Sequence, residues 1–153
     1  NGGLLVGAAL TQRPELFRAV ICDFPDVDIL RFPWYATSNN APALLEYGNS
    51  KIREQFEAIR KYSPYQNVRT NMAYPAVMFS TGDLDTRVPP SAAFKMAARL
   101  QASTTSGFPI ILWYHHKAGH AAGRGLSFSR RIIDTAMKFT FVLQQLDVQM
   151  TFE

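Results

Sequence analysis

The chain has 153 residues, 47% of them hydrophobic and 18% charged, which is enough for one globular unit with a real core and unlike a disordered composition. Its net charge of +4 invites a nucleic-acid reading, but the basic residues are scattered and never run beyond pairs such as Arg60-Lys61 and Arg130-Arg131, so there is no stripe to displace phosphate counterions. The apolar runs are too short to span a bilayer, so neither nucleic acid nor membrane is an expected partner.

Gly2 to about Gln12 reads as a helix in which Gly7, Ala8 and Ala9 permit close packing on a sheet, and Pro14 ends it. Ala19 to Cys22 is a buried strand, left through the turn-rich Asp23-Phe24-Pro25-Asp26. The single cysteine, Cys22, lies in this run and is expected to pack as a small hydrophobe. One buried thiol fits a cytosolic and an exported chain alike, so the compartment is left open.

From Ile29 to about Ser50, Pro, Asn and aromatic residues predict an irregular excursion of the kind that shapes pockets. Ile52, Phe56 and Ile59 then repeat at helical spacing, which predicts an amphipathic helix from Lys51 to Tyr62 terminated by Ser63-Pro64. Ala76 to Ser80 is a second buried strand, Gly82 to Pro90 its exit loop, and Ser91 to about Gln101 a helix opened by Pro90. Ile110 to Tyr114 is the third strand, followed by a loop from His115 to Gly125. The last helix runs from about Leu126 to Leu146, with Ile132, Ala136, Phe139 and Leu143 forming its expected buried face.

Helices alternating with strands imply an α/β fold with three parallel strands and helices on both faces. A first strand with no neighbour would leave an apolar edge open, so the sheet is expected to be incomplete without upstream strands. The opening Asn1-Gly2-Gly3-Leu4-Leu5 reads as the downstream half of a Gly-x-Ser-x-Gly elbow, the part of the turn that comes after its nucleophilic serine. We therefore expect a piece of a longer polypeptide that starts just after that serine.

Two further segments carry chemistry: Gly82-Asp83-Leu84-Asp85-Thr86-Arg87-Val88 and Lys117-Ala118-Gly119-His120. Each comes after a predicted strand, and active groups in open parallel sheets collect outside the carboxyl ends of strands. Read singly, an Asp after Gly is a turn residue and a Gly-His is a loop histidine. Read together with the elbow-like start, they supply an acid and a base in the order serine, acid, histidine found in α/β-hydrolases. Composition leaves Asp83 and Asp85 as competing acids. His116 and His120 have i, i+4 spacing, but on a loop this makes no metal face, and Gly123-Arg124-Gly125 lacks a phosphate-loop pattern, so neither metal nor cofactor is expected.

The chain resembles the prolyl oligopeptidase family of serine peptidases over almost its full length. The resemblance is carried by Asn1-Gly2-Gly3-Leu4-Leu5-Val6, Gln12-Arg13-Pro14-Glu15-Leu16-Phe17, Glu46-Tyr47-Gly48, Lys61-Tyr62-Ser63-Pro64, Asp83-Leu84-Asp85-Thr86-Arg87-Val88 and Lys117-Ala118-Gly119-His120-Ala121-Ala122-Gly123. It implies that Asp85 is the triad acid, His120 the base, and Asn1 a backbone donor to the oxyanion. It implies further that Arg87 binds a substrate carbonyl, that Tyr47 and Val88 line the pocket for proline, that the substrates are short peptides, and that a β-propeller lies upstream with the rest of the parent enzyme.

One departure concerns specificity: the family's tryptophan, four residues before the tyrosine of Tyr-Gly, is replaced by Ala43. Trp34 lies in the same excursion and has two places open to it, as a partial replacement for that tryptophan or, the expected one, in the hydrophobic core. Two alternatives to a prolyl peptidase stand beside it: an esterase or aminoacyl-peptidase with the same triad, and a noncatalytic fragment or pseudoenzyme. The residue before Asn1 discriminates, because only a nucleophile there supports an enzyme.

Overall fold

The computed structural model describes residues 1–36, 42–120 and 127–148. Its elements are α1 (Gly2–Gln12), β1 (Ala19–Asp23), α2 (Phe32–Tyr35), α3 (Ala43–Tyr47), α4 (Arg53–Arg60), β2 (Ala76–Gly82), α5 (Ser91–Ser103), β3 (Ile110–His115) and α6 (Phe128–Gln145). The strands form one parallel sheet in the order β1-β2-β3, with Cys22 opposite Phe79 and Gly82 opposite His115. The chain therefore leaves all three strands at the same edge of the sheet.

Central strand β2 is buried along its whole length, and its side chains alternate between two cores. Val77 and Phe79 join Leu10 of α1 and Met96 and Leu100 of α5 on one face; Ala76 and Met78 meet Phe141 of α6 on the other. The architecture is the expected α/β layering. Cys22 is 1% exposed, and burial raises its thiol pKa to about 12, which keeps it an inert packing group.

Along the outer edge of β1, the apolar side chains of Leu5, Phe17 and Ile21 surround a shallow groove. Leu5 is 72% exposed there, and no strand among the described residues pairs with this edge.

Three expectations need correction. The excursion after Ile29 is not wholly irregular: a 3₁₀ turn at Ile29–Arg31 leads into α2, where Pro33 fits a first helical turn, and α3 comes next. Residues 37–41, within that excursion, lie outside the described residues. Helix α4 is shorter than its periodicity predicts because Ile52 is extended and 45% exposed, leaving Ile59 as the buried anchor.

The third correction concerns α6. Its expected apolar face looks outward, with Ile132 54% and Phe139 65% exposed. The helix meets the sheet through Phe141, Val142 and a polar cluster in which Asp134 and His115 are buried. Lys138 Nζ lies 2.8 Å from Asp23 Oδ2 and 2.9 Å from Asp134 Oδ2, and Asp134 Oδ1 lies 3.1 Å from Nε2 of buried His115. A buried carboxylate is costly unless a cation stands beside it, and here Lys138 stands beside Asp134 and reaches across to Asp23 of the sheet.

This cluster makes folding sensitive to pH. The Trp113 indole donates to His115 Nδ1 at 3.2 Å, so the neutral ring carries its proton on Nε2, facing Asp134. Burial lowers the His115 pKa, with Asp134 opposing that shift and Lys138 adding to it. Below about pH 6.5 an unfolded imidazole takes up a proton that the buried one resists. The resulting stability is therefore full above that pH and is lost as the pH falls. The wild type should lose more Tm than His115→Gln between pH 8 and pH 5, as read by circular dichroism; equal losses would show that His115 is not the group responsible.

Candidate active site

Loops leaving β1, β2 and β3 meet at the carboxyl edge of the sheet. The β2 exit is a tight turn in which Asp85 N–H donates to Gly82 O and Leu84 N–H donates to Ala118 O. Asp83 N–H reaches His115 O in the same way, so the loops after β2 and β3 are tied by their backbones. Lys117 turns the second loop with a φ of 56°, in the left-handed region, and delivers His120 above the first.

His120 Nδ1 lies 2.9 Å from Asp85 Oδ2. The other carboxylate oxygen, Oδ1, accepts the backbone N–H groups of Arg87 and Val88, both at 2.9 Å. Burial pushes the Asp85 pKa up, but the His120 hydrogen bond and those two N–H donors outweigh it and hold the carboxyl below its usual range. An ionised carboxylate only accepts hydrogen bonds, so Nδ1 of His120 carries a proton, and in the neutral ring Nε2 is the nitrogen with the lone pair.

Asp83, the competing acid, is directed elsewhere. Its Oδ1 accepts Ala118 N–H at 3.2 Å, and its Oδ2 lies 3.6 Å from exposed His116. The structure thus pairs His120 with Asp85 and uses Asp83 as a tie between the loops.

Beside His120 opens a cavity of about 400 Å³. Asn1, Arg87, Tyr47 and Val88 line it together with His120, while Asp85 is not in the lining and is joined to the site through His120. Asn1 stands at the start of α1, where Gly3 allows close approach to the β1 exit: a Cβ on Gly3 would lie 2.4 Å from Pro25 Cα. Asn1 Nδ2 donates to Glu46 Oε1 at 2.5 Å. Tyr47 is set by an edge-on contact with Phe32 at 5.4 Å between ring centroids, and its carbonyl accepts the Tyr62 hydroxyl.

Trp34 takes neither place considered for it. It is 65% exposed, with the Lys51 ammonium 5.4 Å from its ring centroid, and it is not among the cavity residues. Ala43 does line the cavity. The segment Ala121-Ala122-Gly123 and the Gly123-Arg124-Gly125 loop lie outside the described residues.

The sequence reading missed the contribution of the β1 exit. Phe24 has a φ of 46°, unusual for a residue with a side chain, and its ring lies 5.7 Å from that of His120, walling one side of the base. Asp23 and Asp26 also line the cavity, as does Glu46. The signal was available, because the rule that active groups gather at strand exits applies to Asp23-Phe24-Pro25-Asp26 as fully as to the two later loops. No group of three or more metal-ligating side chains is present among the described residues.

The geometry resembles that of known proteins. A prolyl endopeptidase from Dictyostelium discoideum is 37% identical over 99% of this chain and 20% of its own length, and one from Elizabethkingia miricola is 35% identical over 97% of this chain and 21% of its own. Among solved structures, a prolyl endopeptidase superposes with a TM-score of 0.89 at 38% identity, covering 97% of this chain and 21% of that one. Prolyl oligopeptidase B from Galerina marginata, bound to a 25mer macrocyclization substrate, superposes with a TM-score of 0.88 at 30% identity, over 98% of this chain and 21% of that one. This chain therefore spans about a fifth of the length of the relatives it matches. The model of the prolyl oligopeptidase family matches residues 1–149, and on that extent of agreement the chain belongs to the prolyl oligopeptidase family.

Proposed function

We propose that this chain is the C-terminal part of the catalytic domain of a serine peptidase that hydrolyses short peptides through an acyl-enzyme, and that the residue immediately before Asn1 is its nucleophilic serine. The observation that carries the proposal is the His120–Asp85 pair, 2.9 Å apart, with His120 lining a cavity that the start of α1 also lines. Upstream strands would join the sheet at the edge of β1, which no strand among the described residues pairs with, and would feed the elbow; a propeller would precede them.

In this reading, Nε2 of His120 takes the serine proton as the serine oxygen bonds to the scissile carbonyl carbon. Asp85 holds the ring and stabilises its charged form, while Asn1 N–H donates to the oxyanion. When the intermediate collapses, the carbon–nitrogen bond breaks and the same proton passes to the leaving amine. Water, deprotonated by His120, then attacks the acyl-enzyme, and its proton returns to the serine as the acid product leaves. Arg87 binds a substrate carbonyl, and Tyr47 and Val88 flank the side chain next to the scissile bond.

A fluorophosphonate probe tests the assignment. It should label the full-length protein on the residue preceding Asn1 and leave the isolated 153-residue chain unlabelled, because a triad without its nucleophile has nothing to phosphonylate. Stoichiometric labelling within residues 1–153 would overturn it.

A further inference from the structure

The cavity beside His120 mixes apolar side chains such as Phe32, Tyr47 and Val88 with charged ones. Ala43 leaves one wall without a large side chain. Arg87 belongs to the lining, and so do three acidic residues, Asp23, Asp26 and Glu46. They are not equivalent. Asp23 is engaged by the Lys138 ammonium at 2.8 Å and by the Ser80 hydroxyl at 2.6 Å. Asp28, two residues beyond Asp26, is held by Lys95, Arg31 and Gln66 and is turned into the protein interior.

Asp26 differs from both. It is 7% exposed, and its Oδ1 accepts a neutral donor, the Tyr35 hydroxyl, at 2.5 Å. Burial raises its pKa, with the Tyr35 hydrogen bond opposing that shift. A desolvated carboxylate bordering a cavity gains most from a ligand that brings a positive charge and N–H donors, and a site built in this way rejects ligands that lack them. Tyr35 holds Oδ1, and a further partner for the carboxylate would come from the cavity that Asp26 lines.

Resting on the peptidase reading above, we infer that Asp26 determines specificity, and that the residue on the acyl side of the cleaved bond is basic, lysine or arginine, rather than proline. Tyr47 and Val88 flank the aliphatic stem of such a side chain, the space opened at Ala43 accommodates its length, and Asp26 receives its charged head. Glu46, at the same cavity, adds negative potential for the approach of a basic peptide.

The experiment uses the full-length protein and matched peptides that differ only in the residue before the scissile bond: lysine, its uncharged near-isostere norleucine, proline and alanine. kcat/KM for lysine should exceed that for norleucine by about 100-fold, the scale set by leaving a buried charge unpaired. Asp26→Asn should reduce the lysine-to-norleucine ratio to within a few-fold of unity, and Tyr35→Phe should retain a preference for lysine. Equal rates for lysine and norleucine in the wild type, or proline as the best substrate, would overturn the inference without requiring any variant to fold. Fluorophosphonate labelling of the same preparation separates the two readings. A labelled enzyme without basic preference refutes the role of Asp26 alone; an unlabelled one refutes the peptidase assignment and this inference with it.

Discussion

His120→Ala in the full-length protein is expected to lower kcat by about 10⁴- to 10⁶-fold, and Asp85→Asn by about 10⁴-fold, with little change in KM for either. The size of the second effect comes from the way Asp85 is held. Oδ1 accepts two backbone N–H groups, from Arg87 and Val88, so the carbonyl oxygen of the new amide must occupy that place. Its NH₂ then faces His120 Nδ1, which becomes an acceptor, and the proton is forced onto Nε2. A ring protonated there cannot take the serine proton. The variant keeps its shape and holds the wrong tautomer.

Asp83→Asn separates this account from its rival. Asp83 contributes an acceptor to Ala118 N–H, which an amide oxygen supplies equally well, so the expected loss is within about tenfold. Steady-state kinetics on the three variants, with circular dichroism to verify folding, decides the matter. A larger loss at Asp83 than at Asp85 would reverse the assignment.

Much of this site was legible in the sequence because it depends on local rules. Runs such as Ala76 to Ser80 and Ile110 to Tyr114 are apolar and flanked by turn residues, so their strands could be placed, and parallel strands put their exits at a common edge. What was not legible depends on partners far apart in the chain. The rotation of α6 is set by Lys138 reaching Asp23 and by Asp134 reaching His115, pairs that apolar periodicity cannot anticipate. That periodicity favoured Ile132 and Phe139, which face outward. Trp34 misled for a related reason: a large aromatic residue usually anchors a core, but here its helical turn directs it outward beneath a lysine. Asp26 reads as a turn residue although its place at a strand exit already points to the active edge; what the sequence does not show is the Tyr35 hydroxyl that holds its carboxylate.

Gly82→Ala is expected to abolish most activity without adding or removing any reacting group. Gly82 ends β2, and a Cβ built there would lie 2.2 Å from the carbonyl oxygen of Ala118 and 2.8 Å from its carbon. Those atoms are backbone, so no side-chain rotation relieves the clash. The loop after β3 must move away from the loop after β2, across a seam closed by Asp83 N–H to His115 O at 3.2 Å and Leu84 N–H to Ala118 O at 3.0 Å. His120 lies two residues beyond Ala118 and Asp85 three beyond Gly82, so the movement opens their 2.9 Å contact directly. Overpacking of this kind costs about 1–3 kcal/mol of stability. Misplacement of a catalytic group by about 1 Å costs about 100-fold in rate, so activity should fall further than the Tm shift alone would suggest. Gly107→Ala is the matched control, since its added Cβ meets nothing within 4 Å. Thermal melts and kcat/KM on both variants of the full-length protein test the claim. Wild-type activity in a folded Gly82→Ala variant would show that the spacing of the two loops is not what holds the acid and the base together.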